Sequence, residues 1–378
     1  MFLFYSCRSA VLLKSFPIAK NDELRGWTQF GGDPQRTSFR ERSPQPPFEN
    51  IWIYKASSAI GPTLLATDSL LFFTTLDGKY EVLNIGTGQR LVRNKCSDAY
   101  EATCALNKNK LILASRYGDE TLALLDLKSG RYQWRINAGD IASEPLMTEN
   151  AIYIAALYKH IDKYDFETGE KIWTFKTEGH HRSSPALYKD WLVTGCDNGA
   201  VYALSAKTGQ LHWRFDARAS LFATPVISQE TVFIGSLDSS FYALDLHSGD
   251  VLWSFLAHGP IFQSAASNGE TVVFGASNGI LYCLEAKTGQ KRWHYQTAGA
   301  ISTAPLVSDQ IVYFGSLDRR YYGLDLKNGE LLWRFETKGR VRTTPIIWGN
   351  YFFGASEDRY VFAFIQRDTL ASGIRQNK

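Results

Sequence analysis

Few stretches of this chain could do chemistry on their own. His180 and His181 stand just before Ser183 and Ser184 in "GHHRSSP". Imidazoles beside hydroxyls can activate a nucleophile or hold a metal ion. Adjacent residues of an extended chain point to opposite sides, however, so this pair does not close on one ion, and it reads as two loop histidines. No Ser/His/Asp arrangement follows from the spacing, and neither GxGxxG nor a P-loop pattern is present. The five cysteines, Cys7, Cys96, Cys104, Cys196 and Cys283, are scattered without a CxxC pair. That suits small buried apolar groups better than zinc or a disulfide framework. The arginines are grouped instead: Arg319 with Arg320, Arg340 with Arg342, then Arg359. Guanidinium groups on one rim would bind an anionic or protein partner.

Those residues need a scaffold, and bulk composition narrows it. The chain has 378 residues, 44% of them hydrophobic and 14% aromatic, with 30 glycines, which favours sheets and tight turns over helices. Its 41 basic residues nearly balance 38 acidic ones, and a formal charge of +3 gives no general attraction for nucleic acid. No apolar run approaches the roughly 18–20 residues of a membrane span. "MFLFYSCRSAVLLKSF" is apolar but broken by Arg8 and Lys14, and Cys7 lacks the preceding pattern of a lipidation site, so neither a signal peptide nor a lipobox is expected. Residues 1–24 are read as an N-terminal tail and 367–378 as a C-terminal one.

Tryptophan supplies the period. Trp134, Trp173, Trp213, Trp253, Trp293 and Trp333 are separated by 39 residues once and by 40 thereafter, and Trp52 and Val92 extend the frame to eight positions. Repeats of this length mean a solenoid, a propeller or an array. Within "LFATPVISQETVFIGSLDSSFYALDLHSGDVLWSFL" (221–256) four short strands, A to D, are separated by turn residues, with no room for an amphipathic helix. The expected fold is therefore all-β, an eight-bladed propeller of four-stranded antiparallel blades over 50–366. Its last blade takes three strands from the C-terminal end and one, "IWIYK", from the N-terminal side, which removes two free sheet edges. In phrases such as "AKTGQLHWRF" glycine makes the C-to-D turn, an acidic or hydroxyl residue bonds its amides, and Trp packs on the next blade. Trp52 and the six periodic tryptophans are thus docking residues, expected to serve seven of the eight seams, with Val92 at the eighth position.

The phrase "AKTGQLHW" and its copies resemble the tryptophan-docking motif of the PQQ-repeat propeller family, and "WTQFGGDPQRTSF" (27–39) resembles the lead-in that often precedes such rings, here 25–49. The resemblance implies one of two functions. Quinoprotein dehydrogenases hold PQQ over calcium in the axial funnel and need a carboxylate base and converging oxygen ligands. Among the D-to-A junctions that rim the funnel, only Asp140, Glu144 and Glu101 are acidic, and no adjacent cysteine pair is present. The other members are non-catalytic scaffolds, BamB-like in character, of bacterial outer-membrane protein assembly. "HHRSSPALYKDWLVTGCDNG" (180–199) resembles their partner-binding region, which places that role on His181 and Arg182, with Leu221 and Phe222 in the next loop.

The expectation is a non-catalytic, monomeric ring that binds a protein, needs no cofactor and works in a bacterial envelope, the location resting on resemblance. A PQQ/calcium-dependent dehydrogenase of alcohols or sugars is the alternative, and a small-ligand sensor using the funnel a further one. The interaction candidates are His181, Arg182, Leu221, Phe222, Arg319, Arg320, Arg340, Arg342 and Arg359.

Overall fold

The computed structural model describes residues 26–96 and 102–367. Among them every regular element is a strand, and no helix is long and apolar enough to cross a membrane. Four-stranded antiparallel sheets follow one another as blades: 60–95, 102–136, 146–176, 186–216, 226–256, 266–296 and 306–336. Blade 8 consists of Ile346–Trp348, Tyr351–Ala355 and Tyr360–Gln366, with Phe48–Lys55 as its outermost strand. Trp52 lies opposite Ala363 and Lys55 opposite Tyr360. The eight-bladed ring and its closure by an N-terminal strand are as the sequence predicts.

Six of the eight seams repeat one chemical arrangement. The indole of Trp253 covers Gly289 of the next blade so closely that a Cβ there would lie 2.6 Å from the ring, and its N–H donates to the Ala286 carbonyl at 3.0 Å. The same pair of contacts joins Trp52 to Gly88 and Ile85, Trp134 to Gly169 and Phe166, Trp173 to Gly209 and Ala206, Trp213 to Gly249 and Leu246, and Trp293 to Gly329 and Leu326. Gly289 has φ of +72°, so the turn and the close approach both demand glycine. Asp245 accepts from the amides of His247 and Ser248 to hold the turn before Gly249.

Six seams are built this way, one fewer than the seven tryptophans lead one to expect. Val92 stands where blade 1 would present its indole. Trp333 faces blade 8, whose third and fourth strands come from opposite ends of the chain, so no C-to-D turn exists to receive it. Its ring instead meets Phe48 edge-on at 5.0 Å and Phe352 at 5.3 Å.

A second contact lies deeper in three of the seams. Tyr202, Tyr242 and Tyr282 each receive an aromatic edge from the preceding blade: Phe175 at 5.8 Å, Phe215 at 5.2 Å and Phe255 at 5.2 Å. Blade 3 has Asp162 at this position, fully buried. It accepts from Thr174 at 2.7 Å and Tyr164 at 2.8 Å, and lies 2.9 Å from Lys171 Nζ and 3.0 Å from His160 Nδ1. Burial pushes its carboxyl up, but the bonds from His160, Lys171 and Thr174 outweigh this and hold it at about 2. A depressed carboxyl stabilises the fold above its unfolded value near 4, and that contribution is lost as pH falls from about 4 towards 2. Asp162→Asn is expected to remove about 2–3 kcal/mol at pH 7 and to flatten the acid limb of the stability curve over that window. A variant with the wild-type acid limb in chemical denaturation from pH 2 to 5 would refute the assignment.

The lead-in segment does more than approach the ring. Gly26–Trp27 pairs antiparallel with Ala66 and Thr67 of blade 1, while Phe39–Arg40 pairs parallel with Val307 and Ser308 of blade 7. Between them it runs past the innermost strands of the intervening blades. Leu106, Leu187, Ile227, Ser267 and Val307 donate their amides to the carbonyls of Thr28, Pro34, Gln35, Thr37 and Ser38 at 2.7–3.0 Å. Met147 donates to Gln29 Oε1. Inner-edge N–H groups that would otherwise face the axis unpaired are thereby satisfied. Arg36, fully buried, donates to the carbonyls of Phe30 at 2.6 Å, Pro185 at 3.0 Å and Pro145 at 3.1 Å. Trp27, also buried, lies under the Arg40 guanidinium at 4.7 Å.

Candidate functional site

The D-to-A junctions and B-to-C turns share one face, because each turn bonds to the junction entering its own blade. Asp197 N donates to His180 O, Leu237 N to Ser220 O, Leu317 N to Ala300 O and Glu357 N to Arg340 O. On that face the repeats diverge, and the side chains left exposed are aromatic and basic.

Arg182 projects into solvent and lays its guanidinium over the Phe222 ring at 5.1 Å. Phe222 meets Phe262, 44% exposed, at 6.3 Å. Behind Arg182, Tyr158, 57% exposed, stands edge-on to His180 at 5.7 Å. An arc of rings and one cation thus crosses blades 3 to 6. Large exposed rings beside an arginine are the composition of interface hot spots.

Two sequence candidates do not reach this surface, which corrects their expected role. His181 is fully buried, its Nε2 2.9 Å from Thr177 Oγ1 and its Nδ1 2.9 Å from the Gly195 carbonyl. Burial pulls its pKa down to about 4, so it is neutral at physiological pH. Leu221 is buried against Gly195, where an added Cβ would come within 3.0 Å of its own Cβ. Both alternate with exposed Arg182 and half-buried Phe222 in the extended junction, so they anchor the loops that present those neighbours.

The arginines gather near blades 7 and 8. Arg340 Nε lies 2.6 Å and Arg342 Nε 2.5 Å from the two oxygens of Glu357, and Arg320 lies 3.4 Å from Glu336. Burial is the largest single influence and raises the Glu357 carboxyl, but the two arginines together outweigh it and pull the group below its ordinary range. Arg319 and Arg359 occupy left-handed positions in successive B-to-C turns, with φ of 68° and 74°. This half of the face is a crescent of five arginines in which Glu357 bridges Arg340 and Arg342, with Glu336, Asp318 and Asp358 beside it.

At the axis, Glu144 accepts from Ser184 Oγ and, at 3.3 Å, from Thr63 Oγ1, while its amide donates to Ser184 Oγ. Glu101 lies outside the described residues. Calcium asks for six to eight oxygen ligands. The axial carboxylate already has hydroxyl partners on both oxygens, and among the described residues no three of His, Cys, Asp or Glu come together as donors. The donor set fits calcium poorly.

Sequence reasoning missed Phe262, Glu357 and Arg36. Phe262 follows Phe222 by one repeat and could have been found by carrying that position forward. Glu357 carries no sequence signal, since its two partners lie in a different loop.

Eight four-stranded blades, closed by a strand from the far end of the chain and seated by Trp-on-Gly contacts, define a PQQ-repeat β-propeller. A family model described as outer membrane protein assembly factor BamB matches residues 158–304 and 256–368, more than half of the chain. The chain belongs to that family. Solved structures with the same fold include BamB from Moraxella catarrhalis, at 16% identity and TM-score 0.70 over 84% of this chain and 99% of that one. A europium-containing methanol dehydrogenase aligns at 11% identity and TM-score 0.78, over 90% of this chain and 98% of the other. The quinohemoprotein alcohol dehydrogenase of Comamonas testosteroni aligns at 14% and 0.76, over 90% and 80%. No curated protein matches the sequence significantly.

Proposed function

We propose that the chain is a non-catalytic scaffold that seats a protein partner on the face formed by its D-to-A junctions and B-to-C turns, and that it serves outer-membrane protein assembly in a bacterial envelope. The observation that carries this reading is the arc Arg182–Phe222–Phe262, in which exposed Arg182 and Phe262 flank the half-buried Phe222 ring. The description of the matching family supports the setting. The arginine crescent beside the arc would add an electrostatic component favouring a partner with exposed carboxylates.

Loss of both rings in Phe222→Ala with Phe262→Ala is expected to weaken partner binding by at least about 30-fold, the loss of a single good hot spot. The partner is identified first by cross-linking from position 222 in envelope preparations, and its affinity is then compared for wild type and variant. Full affinity in a variant that melts normally would defeat the reading.

The dehydrogenase reading is favoured by one observation, the Glu144 carboxylate at the axis where a base would stand. Adding PQQ and calcium, then following quinone absorbance and dye-linked alcohol oxidation, separates the two. Bound quinone with turnover would replace the scaffold reading, and the expected result is neither.

A further inference from the structure

A buried polar group without a hydrogen-bond partner marks a place where something outside the fold supplies one. Two such groups stand two residues apart in the lead-in segment, which straps the inner strands together. Ser38 is almost fully buried and its hydroxyl has no partner, and the Nε of half-buried Arg40 is likewise enclosed and unbonded. They share one corner of the molecule. The Ser38 amide donates to the Gly31 carbonyl, and a Cβ on the next glycine, Gly32, would meet the Trp27 ring at 3.0 Å. Arg40 lies over that same ring.

Two indoles hold the Arg40 guanidinium, Trp27 at 4.7 Å and Trp348 at 5.6 Å. Ring contact uses none of its five N–H donors. The nearby carboxylates are engaged elsewhere. Asp33 accepts from the Thr37 amide at 3.2 Å and from Thr37 Oγ1, and Asp68 accepts from Trp348 Nε1 at 3.1 Å. Burial lowers the Arg40 pKa against the pull of Asp33, the sign of a cation enclosed without its counter-ion.

We infer that Arg40, held by Trp27 and Trp348 and joined by the Ser38 hydroxyl, binds a carboxylate. A planar carboxylate fits a guanidinium fork. One guanidinium balances one negative charge, and Asp33 and Asp68 in the same corner oppose the second charge of a phosphate dianion. The carboxylate belongs to a polypeptide terminus or to a free organic acid. Ser308, paired with Arg40, and Trp348 end the innermost strands of blades 7 and 8, whereas the D-to-A junctions enter those strands at their start. The site therefore lies on the face opposite the arc and does not rest on the scaffold reading. Its walls come from the start of the strap on blade 1, the end of the strap on blade 7, and closing blade 8. It is assembled only when the ring is shut.

The test is a titration of the full chain, labelled with [15N]arginine, with sodium acetate as the probe. The Arg40 Nε–H resonance, recognised by its displacement in the ring currents of two indoles, is expected to move saturably with acetate and not with equal sodium chloride. Arg40→Lys keeps the charge and loses the fork. It is expected to weaken acetate binding, read by calorimetry, at least about tenfold with an unchanged melting temperature. If that variant fails to fold, the wild-type titration decides alone. Acetyl-glycylglycine, with its C-terminal amide as control, separates the sources: tighter binding than acetate assigns a polypeptide terminus, and equal or weaker binding a free organic acid. A resonance unmoved by acetate up to about 0.1 M, equal movement with chloride, or tighter binding of inorganic phosphate than of acetate would each overturn the inference.

Discussion

Replacing Trp253 by alanine is expected to lower the stability of the ring by about 3–5 kcal/mol, the range for deleting a large buried aromatic side chain. Several losses fall together at one seam. The indole leaves a void over Gly289, the Ala286 carbonyl loses its donor, and Phe233 and Phe241, at 5.8 and 6.1 Å, lose a ring partner. Blades in a ring are held by nearest neighbours, so one weakened seam opens the circle. The comparison that isolates docking is Val92→Ala, at a seam built without an indole, where about 1 kcal/mol is expected. Gly289→Ala attacks the same contact from the other side, by strain at positive φ and by collision with the ring. Its effect should therefore be strongly non-additive with Trp253→Ala in a double-mutant cycle. Equal stability of Trp253→Ala and wild type in chemical denaturation would remove the docking role.

Arg36→Met is expected to cost about 3–5 kcal/mol, comparable to breaking a buried charged network. Burial lowers the guanidinium pKa to about 10, against the pull of Glu144 and Asp33, so the group is still charged at neutral pH. Its three bonds go to carbonyls of the strap itself and of blades 3 and 4. Methionine keeps much of the volume but leaves Phe30, Pro145 and Pro185 without donors, each worth about 1–3 kcal/mol when buried. Arg36→Lys should recover only part of the loss, because an ammonium cannot span three acceptors set for a planar fork. The distinguishing readout is local: protease cleavage within residues 26–47 should rise in Arg36→Met before the blades unfold. Cleavage only after global melting would assign the arginine to general core stability instead.

The contrast between what was readable and what was not follows from periodicity. Trp213, Gly249 and their copies recur at one interval because six of the seams solve the same packing problem, so the fold could be read by counting. The strap residue Arg36 and the bridging carboxylate Glu357 occur once each, and a residue used once leaves no pattern. The alternation of buried His181 and Leu221 with exposed Arg182 and half-buried Phe222 was legible in principle, since neighbouring residues of an extended junction face opposite ways. Resemblance put the buried and exposed members of each pair in the same class, and only the fold separates them. Trp333 shows the reverse failure: it keeps the period, but the chain break in blade 8 removes the glycine turn that gives the period its purpose.

The strap also sets a limit on how this ring could change over evolutionary time. Leu187, Ile227, Ser267 and Val307 are one repeat apart, and each finds its carbonyl within a strap of fixed length. Duplicating or deleting one blade among those joined by Trp-on-Gly contacts would preserve the seams, since these repeats dock alike. It would also shift all later inner strands past the carbonyls that await them and move blade 8 away from Phe48–Lys55. The number of blades is therefore not free to drift with the number of repeats in the gene. A short non-repeating segment at the start of the chain works as a ruler that admits only one count.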